Sequence, residues 1–163
     1  MVGESFRTMA PVFSIREDDL TGEAIRALLA LHLSDMLETS PPGTSYALDL
    51  SGLQTPDVTV WSAWQGEELV GCGALKEIGP GWGEVKSMRT APGHLRKGVA
   101  AALLDHIVAT ARSRRYTRLS LETGTGPDFI AAETLYRKRG FVPGPIFGAY
   151  RPSPHNQFLH LDL

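Results

Sequence analysis

The sequence predicts an α/β fold in which a mixed sheet has helices on both of its faces. Two runs of β-branched and aromatic residues flank Gln65-Gly66, a pattern typical of an antiparallel hairpin. Further along, a strong helical stripe of apolar residues lies between two strand patterns. Strands joined by such a helical crossover run parallel, so hairpin and crossover together predict a mixed sheet with helices on both faces.

The composition favours one domain over residues 1–163, with a start at Met1 to Ala10 that could be mobile. Lys and Arg number 16 and Asp and Glu 18, a formal net charge of -2, which excludes a globally basic nucleic-acid binder. Cys72 is the only cysteine, and no secretory apolar segment follows Met1, so we expect a cytoplasmic protein. The longest apolar run, Val99 to Leu104, is far below the roughly 20 residues that span a bilayer.

The first elements are an extended stretch, Val12 to Ile15, and a helix that Thr21 is expected to cap. The apolar stripe of this helix has helical spacing and consists of Ile25, Leu28, Leu29, His32, Leu33 and Met36. Two prolines and a glycine in Ser40 to Gly43 should end the helix, and a loop is predicted to follow.

Three strands come next. Val58 to Trp64 and Glu68 to Ile78 are predicted to form the hairpin, and Glu84 to Thr90 alternates as a third strand. Ala91-Pro92-Gly93 should end that strand.

The second half begins with the clearest helix in the chain. Its stripe comprises Val99, Ala100, Leu103, Leu104, Ile107, Val108 and Ala111. A strand over Tyr116 to Leu121 follows, and then a helix through Tyr136 that Asp128 could cap and Gly140 should end. The last strands are predicted at Phe141-Val142 and at Gln157 to Leu163.

The segment before the clearest helix has the features of an anion site. A polar loop with Arg96 and Lys97 leads to Gly98, and the helix that Gly98 opens has no acidic residue in its first turn. Unpaired backbone amides and the helix dipole would favour a phosphate or pyrophosphate there. An ordinary strand-to-helix turn with surface cations is the alternative, since neither GxxxxGK[ST] nor GxGxxG is present.

Several segments together resemble the GNAT family of N-acetyltransferases. They are strand Glu84 to Thr90, LRKGVAAALL, RLSLETG and AETLYRKRGF. The family fingerprint is [Q/R]xxGx[G/A]; Gly98 and Ala100 match its last two positions, whereas Leu95 stands where Gln or Arg is usual. The resemblance spans roughly residues 83–142 and implies a mixed, mostly antiparallel central sheet flanked by helices.

The resemblance implies acetyl-CoA as co-substrate. The strand end Met88, Arg89 and Thr90 would lie along the pantetheine arm. Backbone amides of the loop and first helical turn would hold the pyrophosphate, namely those of Leu95, Arg96, Lys97, Gly98, Val99, Ala100 and Ala101.

The resemblance also assigns the acid–base groups. Tyr136 aligns with the tyrosine that protonates the leaving sulfur in many members, and Glu84 with a glutamate that takes a proton directly or through water. Glu122 competes with Glu84 as the base, and Glu84 could instead be a plain strand charge. Cys72 between two glycines is expected to be a small buried residue and not a nucleophile.

The expected acceptor is the primary amine of a small molecule, acetylated by direct transfer in a ternary complex. The family pattern places the acceptor pocket at His32, Met36, Ser40, Tyr46 and Glu122, together with the segment 147–157. No metal is expected, because the histidines lack HxxxH or HExxH spacing.

Two other functions stay open. One is a non-catalytic acyl-CoA-binding or sensing module, which would retain the pyrophosphate-binding loop but not catalyse acetyl transfer. The unusual Leu95 supports this alternative, and the retained Tyr136 argues against it. A nucleic-acid site would use the cations at the end of the clearest helix, Arg112, Arg114, Arg115 and Arg118, but no aromatic stacking residues are interleaved there, so no nucleic-acid partner is expected. The sequence allows a homodimer without predicting one.

Overall fold

A computed structural model describes residues 12–163. The expected mobile start at residues 1–10 lies outside the described residues. The strands are β1 (Ser14–Glu17), β2 (Val58–Gln65), β3 (Glu68–Gly79), β4 (Trp82–Thr90), β5 (Arg118–Gly124), β6 (Val142–Pro143) and β7 (Asn156–Asp162). The helices are α1 (Glu23–Thr39), α2 (Leu50–Leu53), α3 (Val99–Ser113) and α4 (Ile130–Lys138), with a 3-10 turn at Pro127–Phe129 before α4.

The strands form one mixed sheet in the order β1-β2-β3-β4-β5-β7-β6. Every neighbouring pair is antiparallel except β4 and β5, which are parallel and joined through α3. This arrangement confirms the predicted mixed, mostly antiparallel sheet, because the hairpins and the crossover occur where the patterns indicated.

Two apolar cores lie on opposite faces of the sheet. One contains the stripe of α3, with Leu103, Leu104 and Ile107 inaccessible to solvent, and Tyr136 and Phe141 from the α4 region. The other packs the buried face of α1 against the opposite face of β2 and β3, including Cys72. Helices therefore cover both faces, as predicted.

The residues that cap two helices differ from those predicted from the sequence. Gly22 occupies the cap position of α1 without a side-chain cap, because the Thr21 hydroxyl donates to Asp19 instead, at 2.7 Å. Asp128 does not cap α4: it lies within the 3-10 turn, and Phe129 occupies the cap position. Short polar side chains bond to nearby groups as readily as to helix amides, so a cap cannot be assigned from residue type alone.

The predicted loop after α1 contains a helix that the sequence analysis missed. Asp49 caps α2, its carboxylate accepting from the Gly52 amide at 2.9 Å. A helix of one turn has no apolar period to detect, which explains the omission.

Strand β4 has a bulge beside the predicted ligand region. Cys72 pairs with Arg89 and Ala74 with Lys86, so Ser87 and Met88 lie opposite Gly73 alone. Ser87 has a φ of 54°, and a Cβ on Gly73 would lie 2.6 Å from the Met88 sulfur. The bulge re-aims the side chains that follow it, as bulges near functional sites commonly do.

Within residues 12–163, every helix falls short of the length and apolar character needed to cross a bilayer.

Candidate active site

Strands β4 and β5 separate after the first three residues of each. Their parallel ladder joins Trp82 to Arg118, Gly83 to Leu119 and Glu84 to Ser120, and it ends there. Residues 85–90 and 121–124 continue without pairing to each other. The two diverging strands leave backbone groups facing a gap, and such groups need partners from elsewhere.

A cavity of about 240 Å³ occupies this gap and extends to α1. It brings together most of the side chains predicted for catalysis and for the acceptor pocket, namely His32, Met36, Ser40, Tyr46, Glu84, Glu122 and Tyr136. Met88 and Arg89 also line it. A polar cavity with converging titratable groups is the usual setting of an active site.

Glu84 and its neighbours form a buried hydrogen-bonded cluster on one wall. The Glu84 carboxylate accepts from the Tyr150 hydroxyl, and the Lys86 ammonium lies 3.3 Å from the same oxygen, Oε2. Lys86 Nζ also donates to the Tyr150 hydroxyl oxygen at 2.8 Å. Burial, and then the charge of Glu84, raise the pKa of Tyr150, so the hydroxyl stays protonated and keeps donating.

An aromatic cluster and a buried polar chain hold Tyr150 in this position. Its ring packs edge-on against Tyr46, with centroids 4.8 Å apart, and against Phe147, 5.2 Å apart. Phe147 in turn packs on His160, whose Nε2 donates to the Pro145 carbonyl at 2.7 Å. These contacts hold the segment before β7 against the sheet.

Glu122 faces the same cavity from β5. The sequence analysis placed it just past a strand, but β5 runs to Gly124 and includes it. Burial raises the pKa of Glu122, and the nearby Glu84 charge adds to the rise, whereas the Asn156 amide and Lys86 oppose it. A carboxylate with a raised pKa is a better proton acceptor than an exposed one.

Tyr136 lines the cavity from α4. Its ring is 7% exposed and packs edge-on against Phe141, with centroids 5.8 Å apart. Its hydroxyl has no hydrogen-bond partner among residues 12–163, and burial raises the pKa of Tyr136 to about 12. The group is thus a protonated donor at neutral pH with its proton uncommitted.

His32 lines the acceptor end of the cavity from α1. It is 8% exposed, and its Nδ1 atom is buried without a hydrogen-bond partner among the described residues. Burial, helped by the charge of Arg89, lowers the pKa of His32 to about 4, against a weaker opposing effect of Asp35. Arg89 and Asp35 form an ion pair beside it, so His32 is neutral at pH 7.

The depressed pKa of His32 predicts a loss of stability in mild acid. The unfolded chain binds a proton near pH 6.5 and the folded chain only near pH 4, so stability is complete above the higher value and declines as pH falls between the two. The full decline is about 3 kcal/mol. Chemical denaturation of wild type and His32→Leu from pH 7 to pH 4 should give a steeper fall for wild type. Equal slopes would show that His32 does not titrate in this way.

The loop before α3 has the geometry of an anion site. Gly93, Arg96 and Gly98 have φ values of 84°, 63° and 85°, and nothing lies within 4 Å of a Cβ placed on either glycine. The first helical bond runs from the Ala102 amide to the Gly98 carbonyl, 3.0 Å, which leaves the amides of Val99, Ala100 and Ala101 without helix partners. Left-handed residues beside an uncapped helix start concentrate free N–H groups for an anion.

The predicted site residues therefore fall in two neighbouring places. The cavity holds the residues predicted for catalysis and for the acceptor, together with Met88 and Arg89. The remaining residues predicted to bind the cofactor lie at the end of β4, in the loop and in the first turn of α3: Thr90, Leu95, Arg96, Lys97, Gly98, Val99, Ala100 and Ala101. The Val99 side chain is buried in the core, so only its backbone can meet a ligand.

Sequence reasoning missed Lys86 and named the Tyr150 region only as part of the segment 147–157. Lys86 follows Glu84 by two residues on one strand, so alternation places both on one face, and this signal could have found it. No local pattern indicates that Tyr150 returns to Glu84, 66 residues earlier in the chain.

Cys72 is inaccessible to solvent, and burial raises the pKa of its thiol to about 12. The prediction that it is a small buried residue is confirmed, and the thiolate needed for nucleophilic attack is disfavoured. Among residues 12–163, no group of three His, Cys, Asp or Glu side chains is arranged to hold a metal ion.

Proteins similar to this chain share one activity class. The model of the acetyltransferase (GNAT) family matches residues 25–141. The uncharacterized N-acetyltransferase YedL of Escherichia coli K12 is 52% identical over 152 residues, covering 93% of this chain and 96% of that protein.

Solved structures extend the likeness to the fold. A Klebsiella pneumoniae protein assigned as an acyl-CoA N-acyltransferase is 31% identical with a TM-score of 0.78, over 94% of this chain and 99% of that one. A Bacillus subtilis acetyltransferase solved in complex with CoA is 20% identical with a TM-score of 0.70, over 93% and 99% of the two chains.

Proposed function

The chain belongs to the GNAT acetyltransferase family, and from this premise we propose that it moves an acetyl group from acetyl-CoA to the primary amine of a small molecule. The observation that supports this most directly is the gap between β4 and β5. Its cavity is lined by a proton donor, Tyr136, and a carboxylate, Glu122, and the uncapped start of α3 lies beyond the end of β4. These are the parts that acyl transfer from a CoA thioester to an amine requires.

Backbone groups without partners in the fold are placed where they can bind acetyl-CoA. We propose that unpaired backbone groups of Met88 and Thr90 bind the pantetheine arm, since β4 has no partner strand on that side beyond Glu84. The free amides at the start of α3, with Arg96 and Lys97 nearby, are proposed to bind the pyrophosphate. When bound, acetyl-CoA supplies an activated acetyl carbonyl and a thiolate leaving group.

Tyr136 is proposed as the acid. The neutral amine attacks the thioester carbonyl, the C–N bond forms, the C–S bond breaks, and the Tyr136 hydroxyl gives its proton to the departing sulfur. The nitrogen loses one proton to solvent as it becomes an amide, and solvent returns a proton to Tyr136, so the step balances. Its raised pKa keeps that proton in place at neutral pH until the sulfur develops charge. The acetyl group passes directly to the amine in a ternary complex, without an acyl-enzyme on Cys72.

Of the two candidate bases, the contacts support Glu122. Glu84 accepts from Tyr150 and pairs with Lys86, so its Oε2 atom is engaged. Glu122 has a raised pKa, and the cavity is lined by three carboxylates, Glu84, Glu122 and Asp128, against two cations, Lys86 and Arg89. The net negative charge favours a cationic acceptor, whose ammonium must lose a proton before it attacks.

The proposal treats the whole chain as one acetyltransferase domain, without a metal. A cytoplasmic location is part of it, because a single buried thiol suits a reducing compartment.

A direct test is a panel of small amines and peptides incubated with acetyl-CoA, with release of free thiol as the readout. We expect turnover with small primary amines. Binding of acetyl-CoA without turnover on any amine would instead indicate a non-catalytic acyl-CoA sensor.

Ligand-induced stabilisation tests the loop. CoA at a hundredfold excess over its Kd should stabilise the fold by about 2.7 kcal/mol, or about 5–10 °C in Tm for a domain of this size. Gly98→Glu should abolish the shift, because it places a negative charge where the anion meets the backbone. Gly43→Glu is the matched control, since Gly43 also has a positive φ, 78°, and open space for a Cβ. Equal CoA shifts in the two variants would contradict the proposed site.

A further inference from the structure

His94 is a buried residue of the loop before α3, and its ring contacts two charged side chains. The residue is 7% exposed. Its Nε2 lies 2.8 Å from Glu68 Oε1 at the start of β3, and its Nδ1 lies 3.3 Å from the Lys97 ammonium. The ring thus connects the β2–β3 hairpin to the residue that precedes the Gly98 cap.

The two contacts determine the protonation of the ring. A lysine ammonium has three donors and no acceptor, so Nδ1 must accept from Lys97 and has no proton. A neutral ring then keeps its proton on Nε2, where the Glu68 carboxylate accepts it. The alternative, an imidazolium paired with Glu68, would turn an Nδ1 proton toward the Lys97 ammonium and place two cations in contact.

We propose that His94 is a positioning residue for the phosphates of CoA, and that it acts by holding Lys97 within the loop. This rests on the proposed function. A free lysine side chain has high rotamer entropy and loses it when it binds a phosphate. In this chain the Lys97 ammonium is ordered before the ligand arrives, because the neutral Nδ1 gives it an acceptor three residues away. Such ordering lowers the cost of binding without adding a contact to the ligand.

His94→Ala should raise the Kd of CoA about 3- to 10-fold, since ordering one flexible side chain typically costs that much affinity. The kcat should stay unchanged, because neither His94 nor Lys97 lines the cavity. His94→Gln should restore most of the affinity, since its amide offers a donor toward Glu68 and an acceptor toward Lys97. The KM for S-acetylpantetheine, which lacks the phosphates, should be the same in all three proteins.

A double-mutant cycle separates positioning from simple damage to the loop. If His94 acts through Lys97, His94→Ala should change the Kd of CoA by less than about 2-fold in a Lys97→Met background. An undiminished effect in that background, or an unaltered Kd in His94→Ala alone, would overturn the proposal. A wild-type protein that does not bind CoA at all would instead contradict the proposed function.

The ring itself gives a readout that needs no ligand. Nitrogen-15 NMR of the free protein at neutral pH should show His94 with Nε2 protonated and Nδ1 bare. In Lys97→Met the Nε2 proton should persist, because Glu68 still accepts it, but Nδ1 should no longer be held bare by a neighbouring ammonium. Protons on both nitrogens in wild type would overturn the proposed arrangement.

Discussion

Tyr136→Phe should lower kcat by about 100-fold or more and leave the affinity for acetyl-CoA almost unchanged. Loss of a general acid costs 10²–10⁴-fold in rate, roughly. The substitution removes one hydroxyl and keeps the ring that packs on Phe141, so the fold and the edge-on aromatic contact should persist. The hydroxyl has no other partner in the described chain, so no hydrogen bond is broken elsewhere.

Binding and chemistry can be separated in the same variant. Acetyl-CoA should still raise its Tm as in wild type, while single-turnover release of thiol slows by the full factor. Tyr116→Phe is the matched control, because Tyr116 is a partly buried tyrosine outside the cavity. Full turnover in Tyr136→Phe would leave the family membership intact and remove Tyr136 from the mechanism.

Glu122→Gln should reduce kcat/KM by about 100-fold or more, and it should flatten the rise of kcat/KM with pH. A base works only when deprotonated, and the raised pKa of Glu122 moves that rise above the ordinary range of a glutamate. Glutamine keeps the shape and cannot take the proton. The ammonium of the acceptor produces a rise of its own, so the informative quantity is the difference between variant and wild-type profiles.

Glu84→Gln is the matched comparison on the opposite strand. It should keep the wild-type pH profile while weakening the contact that holds Tyr150, so its main effects should be a lower Tm and a higher KM for the amine. The reverse result, with a flattened profile in Glu84→Gln and a normal one in Glu122→Gln, would assign the base to Glu84 as the family resemblance implies.

Most of the anion-site features of the loop before α3 could be predicted from the sequence. Gly98, the cations before it and the apolar stripe after it are adjacent in the chain, and the physics of a helix start depends on adjacent residues. The contacts of His94 were not predictable, because Glu68 reaches it from 26 residues away. The same limit applies to Tyr150, which contacts Glu84 from 66 residues away.

By itself, the sequence determined the element types and their order, the mixed sheet, and the likeness to the GNAT family, because periodicity, turn residues and motifs are local properties. The tertiary structure decided which groups contact each carboxylate. Glu84 and Glu122 both lie on central strands, and Lys86 beside Glu84 is a local signal, but the sequence does not show that Tyr150 also contacts Glu84. The return of Tyr150 to Glu84 engages the Oε2 atom of that carboxylate, while both carboxylates line the cavity that opens where β4 separates from β5. Protonation and hydrogen bonding depend on partners distant in the chain, and only folding brings those partners together.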